Sequence, residues 1–244
     1  MSDAAANAGN SPPPANLLRE QTVPFSRWRC AIARRLTQSV RTIPHFYVSL
    51  DADVTAALAW RSVLNEGRGL HITVTDLVAK AASLVLREFP RFNAHVGEDS
   101  IAIKPAVGLG IAVATKEGLL VPVIPEADRI SLTVLSELSR KSRTAARKGR
   151  IVSTAVGTFT LSSLGMYGVR QFLPIINPPE CGILAVGAAE PRVVPTPDGI
   201  AVRQVMTMTL GCDHRAVDGA EAAQFLSAVK SSLEGAADVL SPWV

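Results

Sequence analysis

Apolar residues recur at helical spacing in the first folded segment of the chain. The spacing predicts an amphipathic helix over residues 26–42, which Ser26 caps and Pro44 ends. Its apolar side consists of Trp28, Ile32, Leu36 and Val40. In the next segment, 45–53, apolar and polar side chains alternate and β-forming residues are frequent, so we expect a strand there.

The rest of the chain mixes helical and extended patterns without a regular repeat. Helices are expected at 57–65, 75–88 and 218–233, and from Ser131 onward. Paired strands are expected within 101–124, around a turn at 116–118. Further β-like runs cover 158–161, 182–188, 199–203 and 204–211. This mixture predicts an α/β fold, a two-layer sandwich with a mixed β-sheet, rather than a doubly wound or barrel fold.

Length and composition allow one large domain. The chain has 244 residues, of which 48% are hydrophobic, enough for a sizeable core. Residues 1–20 are rich in Ala, Asn, Ser and Pro and cannot bury a core, so we expect a flexible tail or the end of a linker there. The folded domain is expected over 21–244.

The sequence also predicts where the protein resides. No apolar run approaches the roughly 18 residues that a membrane span needs. The N-terminus lacks the basic and apolar regions of a secretory signal. We therefore expect a cytoplasmic protein that does not insert into a membrane.

Charge and candidate metal ligands argue against two other classes. The net charge of +4 is too mild to indicate a nucleic-acid binder. The three cysteines lack paired spacing and the four histidines lack ligand spacing, so neither a disulfide framework nor a metal site is expected.

Basic residues nevertheless cluster on two predicted helices. The first cluster comprises Arg27, Arg29, Arg34, Arg35 and Arg41, and the second Arg140, Lys141, Arg143, Arg147, Lys148 and Arg150. Each cluster is either a solvated face or a surface that attracts a phosphate-bearing ligand.

His214 is the strongest candidate for a reactive side chain. It follows the predicted strand 204–211 and precedes the last predicted helix. A junction of this kind can hold a side chain rigidly in a cleft. A neutral imidazole suits the role of a general base, and a thiol is a natural proton donor to it. The alternative is a half-buried histidine that only stabilises the turn.

Other polar residues lie near the same strand ends. Asp218 can cap the last helix, pair with a nearby arginine that fixes the loop of His214, or contact the imidazole directly; we favour the arginine. Ser162 and Ser163 follow the strand 158–161, where a hydroxyl can donate to an oxyanion or simply form a turn. Cys212 is expected in the core.

Five longer motifs follow one another along the chain: FSRWRCAIARRLTQSVRTIPHFYVSLDAD, VGLGIAVATKEGLLVPVIPEAD, GTFTLSSLGMYG, IINPPECGILAVGAAE and DHRAVDGA. In this order they resemble the dihydrolipoamide acyltransferases, the core component of 2-oxo acid dehydrogenase complexes. The resemblance covers about residues 23–233. A set of ordered motifs is far more specific than a single HxxxD.

The resemblance implies a chloramphenicol-acetyltransferase-like fold that forms trimers, with each active site in a channel between adjacent subunits. Matched motif by motif, His214 is the general base, Asp218 the aspartate of the DHRxxDG motif and Ser162 the oxyanion donor. Ser163 stands where many relatives have Asn. Residues 21–244 would form the catalytic domain, with coenzyme A and a dihydrolipoyl arm entering from opposite ends of the channel.

The resemblance also implies partners. The chain contains no Asp-Lys pair that could carry a lipoyl group, so a lipoyl domain would act in trans. Trimers could join into a cubic or larger shell that binds decarboxylase and dihydrolipoamide dehydrogenase components. The apolar C-terminal residues Val239, Leu240, Trp243 and Val244 could dock on a neighbouring trimer or simply fray.

Two alternatives to this enzyme stay open at the level of sequence. One is a catalytically weak scaffold that organises partner subunits, which the presence of both His214 and Ser162 disfavours. The other is acyl transfer to another small acceptor, such as an amine or an alcohol. Neither the acyl group nor the residues that hold coenzyme A follow from the motifs.

Overall fold

The structure is a computed structural model that describes residues 20–115, 118–150 and 153–244. Nearly all of the predicted tail at 1–20 lies outside the described residues, as do Lys116 and Glu117 of the predicted turn. The helices are α1 (Arg27–Thr42), α2 (Thr55–Arg68), α3 (Val74–Val85), α4 (Leu132–Arg147), α5 (Gly219–Glu234) and α6 (Ala236–Val239). Short 3-10 helices cover Gly165–Tyr167 and Ser241–Trp243.

A six-stranded mixed sheet forms the centre of the domain. Its strands are β1 (His45–Asp53), β4 (Leu109–Ile111), β7 (Val123–Ile124), β8 (Phe159–Ser163), β9 (Gly182–Thr196) and β10 (Gly199–Asp213). They lie in the order β1-β10-β9-β8-β4-β7 across the sheet. Two small sheets pair β2 (Ala94–Val96) with β3 (Ile101–Ile103), and β5 (Val113–Thr115) with β6 (Gly118–Leu120). Because β8 runs parallel to both β4 and β9 while the other pairs are antiparallel, the predicted mixed sheet is confirmed.

Side-chain capping explains where two helices begin. The Ser26 hydroxyl accepts a hydrogen bond from the Arg29 amide at 3.2 Å, and Ser131 does the same for Val134 at 3.2 Å. Both predicted starts are confirmed. The predicted apolar side of α1 is only partly covered in the single chain, since Trp28 is 57% exposed.

The prediction of separate strands at 199–203 and 204–211 is wrong. The two runs form one strand, β10, which pairs with β9 from Gly199 opposite Thr196 to Cys212 opposite Gly182. The chain turns instead before Gly199, whose φ of 130° favours glycine. No turn residue separates Arg203 from Gln204, so pairing with β9 continues across that point.

The two faces of the sheet are covered differently. Alternate residues of the long strands point into a core shared with the helices, including Leu161, Leu184 and Leu210. The opposite face is crossed by residues 164–180, which we call the strap. A Cβ on Gly187 would lie 1.9 Å from the Arg170 carbonyl oxygen, so glycine allows the strap to lie directly on the sheet.

No helix in the described ranges is both long enough and apolar enough to cross a lipid bilayer.

Candidate active site

His214 stands at the tip of a tight turn at the end of β10. Its amide donates to the Pro44 carbonyl at 3.1 Å, and its ring lies 4.5 Å from the Phe46 ring, centroid to centroid. The side chain is exposed in the single chain. The backbone of His214 is therefore fixed while its imidazole stays accessible to a ligand or a second chain.

The residues on either side of His214 form an ion pair in which only the aspartate is buried. Asp213 is fully buried, and its carboxylate accepts hydrogen bonds from the Arg215 guanidinium at 2.6 Å and 3.0 Å and from the Arg215 amide at 3.0 Å. The Asp213 carbonyl also accepts from the amides of Ala216 and Val217. This pair closes the turn that carries His214.

Asp218 occupies the N-cap position of α5. In the described part of the chain its carboxylate makes neither a capping hydrogen bond nor an ion pair. Arg215, the arginine nearest to it in sequence, pairs with Asp213 instead. The arginine that fixes the turn is thus present, but its partner is not the aspartate that the sequence reasoning favoured.

Ser162 lies on β8, two strands away from β10. It pairs with Ala185 of β9, which pairs in turn with Thr209 of β10. The three residues form one row across the sheet, and the row continues to Ser49, whose hydroxyl lies 2.9 Å from that of Thr209. Ser162 is half-buried and shares the strap face of the sheet with these residues.

Ser162 and His214 do not meet within one chain. Thr209 shares the row of Ser162, and Asp213 lies four residues further along β10. Four residues of strand and two strand spacings separate the Ser162 and Asp213 Cα atoms by about 16 Å, and His214 lies beyond Asp213. The two side chains cannot span this distance, so a site that uses both needs a second copy of the chain.

A cleft of about 610 Å³ opens beside the end of β8. Ser163 and Gly165 line it on one side and the first turn of α3 on another. Four arginines are among the other lining residues: Arg61, Arg140, Arg143 and Arg147. Arg143 also lies 3.7 Å from the buried Asp76 carboxylate, which caps α3. The remaining guanidinium groups favour an anionic ligand, and three of the six residues of the second basic cluster line this cleft.

Glu180 is a buried acid that the sequence reasoning missed. Burial raises its pKa from 4.5 to about 7, although hydrogen bonds from the Thr160 hydroxyl at 2.5 Å and the Asn177 amide at 2.9 Å oppose the shift. Thr160 lies on β8, two residues before Ser162. The only signal in the sequence was a lone acid in the apolar run from Pro178 to Cys181.

Cysteine chemistry is not available at the end of β10. Cys212 is fully buried, which confirms its predicted place in the core, and burial raises its pKa far above the ordinary range. Burial and the neighbouring Asp213 raise the pKa of Cys181 to about 12. Both thiols stay protonated near neutral pH and are poor nucleophiles.

The described residues hold no group of three or more His, Cys, Asp or Glu side chains that could bind a metal ion. His95, for example, uses its Nε2 atom to contact the Gly157 carbonyl at 2.7 Å.

The fold is that of the chloramphenicol-acetyltransferase-like sandwiches. A chloramphenicol acetyltransferase aligns with a TM-score of 0.52 at 14% identity, over 82% of this chain and 94% of that one. The chain belongs to the family of 2-oxoacid dehydrogenase acyltransferases (catalytic domain), whose model matches residues 18–241. The family predicted from the motifs is confirmed.

Individual relatives agree with this assignment. A component of the pyruvate dehydrogenase complex of Arabidopsis thaliana, a mitochondrial dihydrolipoyllysine-residue acetyltransferase, is 41% identical over 89% of this chain and 42% of its own length. The corresponding acetyltransferase of Zymomonas mobilis is 37% identical over 90% of this chain and 51% of its own. The chain thus spans about half the length of the curated relatives it matches.

Solved structures of the same family align closely. The dihydrolipoamide acetyltransferase of Azotobacter vinelandii gives a TM-score of 0.86 at 32% identity and covers 93% of this chain and 98% of that one. A structure of the cubic core of a pyruvate dehydrogenase multienzyme complex gives the same values.

Proposed function

We propose that this chain transfers an acyl group between a dihydrolipoyl arm and coenzyme A. The observation that carries the proposal is the arrangement of His214 and Ser162, a base held on a rigid turn and a hydroxyl on the same sheet. The Azotobacter enzyme was studied for a serine, a histidine and an asparagine in its catalytic mechanism, with 52 positions from serine to histidine and 4 from histidine to asparagine. Ser162, His214 and Asp218 have the same spacing, with Asp in place of Asn.

The roles follow from the chemistry of the groups. His214 takes the proton from the coenzyme A thiol, and the thiolate attacks the thioester carbonyl of the S-acyl dihydrolipoyl arm. The Ser162 hydroxyl donates a hydrogen bond to the oxyanion of the tetrahedral intermediate. Collapse releases acyl-coenzyme A and leaves the dihydrolipoyl thiol. Asp218, exposed one turn after His214, would contact a neighbouring subunit or the substrate.

The arginine-lined cleft supports a site for the phosphates of coenzyme A. It lies beside Ser163, one residue from the proposed oxyanion donor. Arg140 and Arg147 are placed on α4 so that both reach the same opening. Guanidinium groups match phosphate oxygens in geometry and charge.

A homotrimer is the assembly that this site favours. A ring of identical subunits lets the Ser162 face of each chain meet the His214 turn of the next, so that every interface makes one site. The strap presents large apolar side chains to the outside, including Met166, Tyr167 and Leu173, which are 70%, 67% and 61% exposed. Apolar surface of this kind marks a protein interface.

The wider partners follow from the relatives. Their names place them in pyruvate dehydrogenase complexes, so we propose acetyl as the acyl group, a lipoyl domain as the donor, and decarboxylase and dihydrolipoamide dehydrogenase as further components. The cubic core named among the solved structures supports an assembly of trimers into a larger shell. The cytoplasmic location stays a prediction of the sequence.

One assay tests the reaction. Purified protein is mixed with free dihydrolipoamide and with acetyl-, succinyl- or branched acyl-coenzyme A, and thioester formation is followed. The proposal expects turnover, fastest with acetyl-coenzyme A. Turnover with amines or alcohols but not with dihydrolipoamide would indicate the other small acceptor, and no turnover at all would favour a scaffold.

A mixing experiment tests the shared site. We expect Ser162→Ala and His214→Ala chains to be nearly inactive alone, whereas a mixed trimer contains interfaces with one intact serine and one intact histidine. Random assembly from equal amounts should restore about a quarter of the wild-type activity. A mixture that stays at the level of the two separate variants, despite subunit exchange, would show that the site is not shared.

A further inference from the structure

His45 is held at both ring nitrogens at the start of β1. Its Nε2 atom lies 3.1 Å from the Ile176 amide nitrogen, and its Nδ1 atom lies 2.9 Å from the Ile43 carbonyl oxygen. The Ile176 amide can only donate, so Nε2 must be the unprotonated acceptor. Nδ1 therefore carries the proton and donates to Ile43. These two bonds require a neutral imidazole in one tautomer.

One of these bonds fixes the strap. Ile176 is fully buried against Ile43 and Ile183 in a small apolar cluster. Its amide donates to His45, and its carbonyl accepts from the Ser39 hydroxyl at 2.6 Å. Both backbone groups of this buried strap residue are thus satisfied by side chains, one from β1 and one from α1. Loss of the His45 acceptor would leave a buried amide unpaired.

The other bond, to Ile43 two residues earlier, sets the orientation of the ring within the segment that lies under His214. The residue after Ile43 is Pro44, whose carbonyl accepts the His214 amide, and the residue after His45 is Phe46, whose ring contacts the His214 ring. His45 itself pairs with Asp213 across the sheet. The side chain of His45 is therefore the link between the strap and the backbone on which His214 rests.

We infer that His45 is a positioning residue for His214. Its side chain holds the Pro44 carbonyl and the Phe46 ring in the places that set the position and tilt of the His214 imidazole. The inference rests on the proposed acyl transfer for its kinetic consequence, but its structural content concerns only the His45, Ile176 and His214 hydrogen bonds. A shift of about 1 Å in a catalytic group lowers turnover by up to about 100-fold.

Three substitutions separate the two ring bonds. In His45→Gln the side-chain oxygen can take the place of Nε2 and accept from Ile176, whereas His45→Asn offers only a group near Nδ1 and His45→Leu offers neither. We expect kcat to fall about 10- to 100-fold in the Asn and Leu variants, with KM for both substrates within about twofold, and to stay within about threefold in the Gln variant. The matched control is His71→Gln, at an exposed histidine, which should leave both constants unchanged.

Residue-resolved amide hydrogen exchange on the assembled protein gives the second measurement. The Ile176 and His214 amides should exchange faster in the Asn and Leu variants and at the wild-type rate in the Gln variant. Unchanged exchange at both amides in His45→Leu would overturn the inference, as would equal loss of kcat in the Gln and Leu variants. Absence of turnover in the wild-type protein would refute the acyl transfer alone, because exchange still decides whether His45 holds the turn.

Discussion

Arg215 closes on Asp213 across the residue that lies between them, His214. The guanidinium donates to both carboxylate oxygens, at 3.0 Å and 2.6 Å, and the Arg215 amide donates as well. Asp213 is fully buried and Arg215 is partly exposed. The pair therefore forms a rigid support beneath the exposed imidazole, and its two charges compensate each other. Asp213 and Arg215 thus build the turn and leave the His214 imidazole exposed for its proposed role as the base.

Removal of Arg215 should therefore damage both stability and turnover. We expect Arg215→Met to lower the free energy of unfolding by about 1 to 3 kcal/mol, because the buried Asp213 carboxylate loses its charged donor. Denaturant unfolding and steady-state kinetics measure the two effects. Addition of Asp213→Asn to the Arg215→Met chain should recover part of the stability, because the uncompensated charge is removed. If the losses of the two single variants simply added in the double variant, the energetic coupling between Arg215 and Asp213 would be contradicted.

Substitution of the two proposed catalytic side chains should give graded losses. Ser162→Ala removes one oxyanion donor and should lower kcat by about 100- to 1000-fold, with KM little changed. His214→Ala removes the base and should lower kcat further. Ser163→Ala is the matched control on the same strand, and we expect it to lose less than Ser162→Ala. A fully active His214→Ala protein would refute the mechanism.

Glu180 should make stability depend on pH. Burial raises its folded pKa from 4.5 to about 7, so between these values the folded chain binds more protons than the unfolded chain. The protonated Glu180 carboxyl contributes fully to the free energy of unfolding below pH 4.5. This contribution is lost as the pH rises through 7, and the loss amounts to as much as about 3 kcal/mol. Unfolding free energies of wild type and Glu180→Gln should therefore diverge over this range, with the variant the less sensitive. Parallel curves would contradict the assignment.

The arginine-lined cleft should determine the affinity for coenzyme A. Arg147→Gln and Arg140→Gln should each raise KM for coenzyme A roughly fivefold, about 1 kcal/mol, while kcat and KM for dihydrolipoamide stay near the wild-type values. The increase should shrink at high salt, because exposed charges are screened. Lys141→Gln is the control, since Lys141 lies on the same helix and pairs with Glu137 outside the cleft. An equal rise in the control would indicate a general charge effect.

Three of the apolar C-terminal residues, Leu240, Trp243 and Val244, pack on their own chain, whereas Val239 is 41% exposed. The ammonium group of the buried Lys80 lies 3.7 Å from the centre of the Trp243 ring, and it also donates to three backbone carbonyls. We expect Trp243→Leu to lower the free energy of unfolding by about 1 to 2 kcal/mol and Trp243→Phe by less, because phenylalanine keeps a ring face for the cation. Thermal unfolding of the two variants measures the difference, and equal losses would argue against the cation-π contact.

The sequence by itself determined the local elements and the candidate residues. Ser26 and Ser131 mark helix starts because a capping hydroxyl bonds an amide only three residues away, and the 45–53 alternation marks β1 because side-chain direction changes at every residue. The motifs around His214 and Ser162 pointed to the family that the comparison confirmed.

Only the tertiary structure decided how those residues relate. Ser162 is separated from His214 because β9 lies between β8 and β10 and because the register places Ser162 level with Thr209, four residues before Asp213. Pairing between residues far apart in the chain sets both the strand order and the register. Asp213, rather than Asp218, forms the ion pair with Arg215. Glu180 has a raised pKa because long-range packing buries its carboxyl group. Local spacing cannot report these relations, since burial and strand order depend on which distant segments pack together.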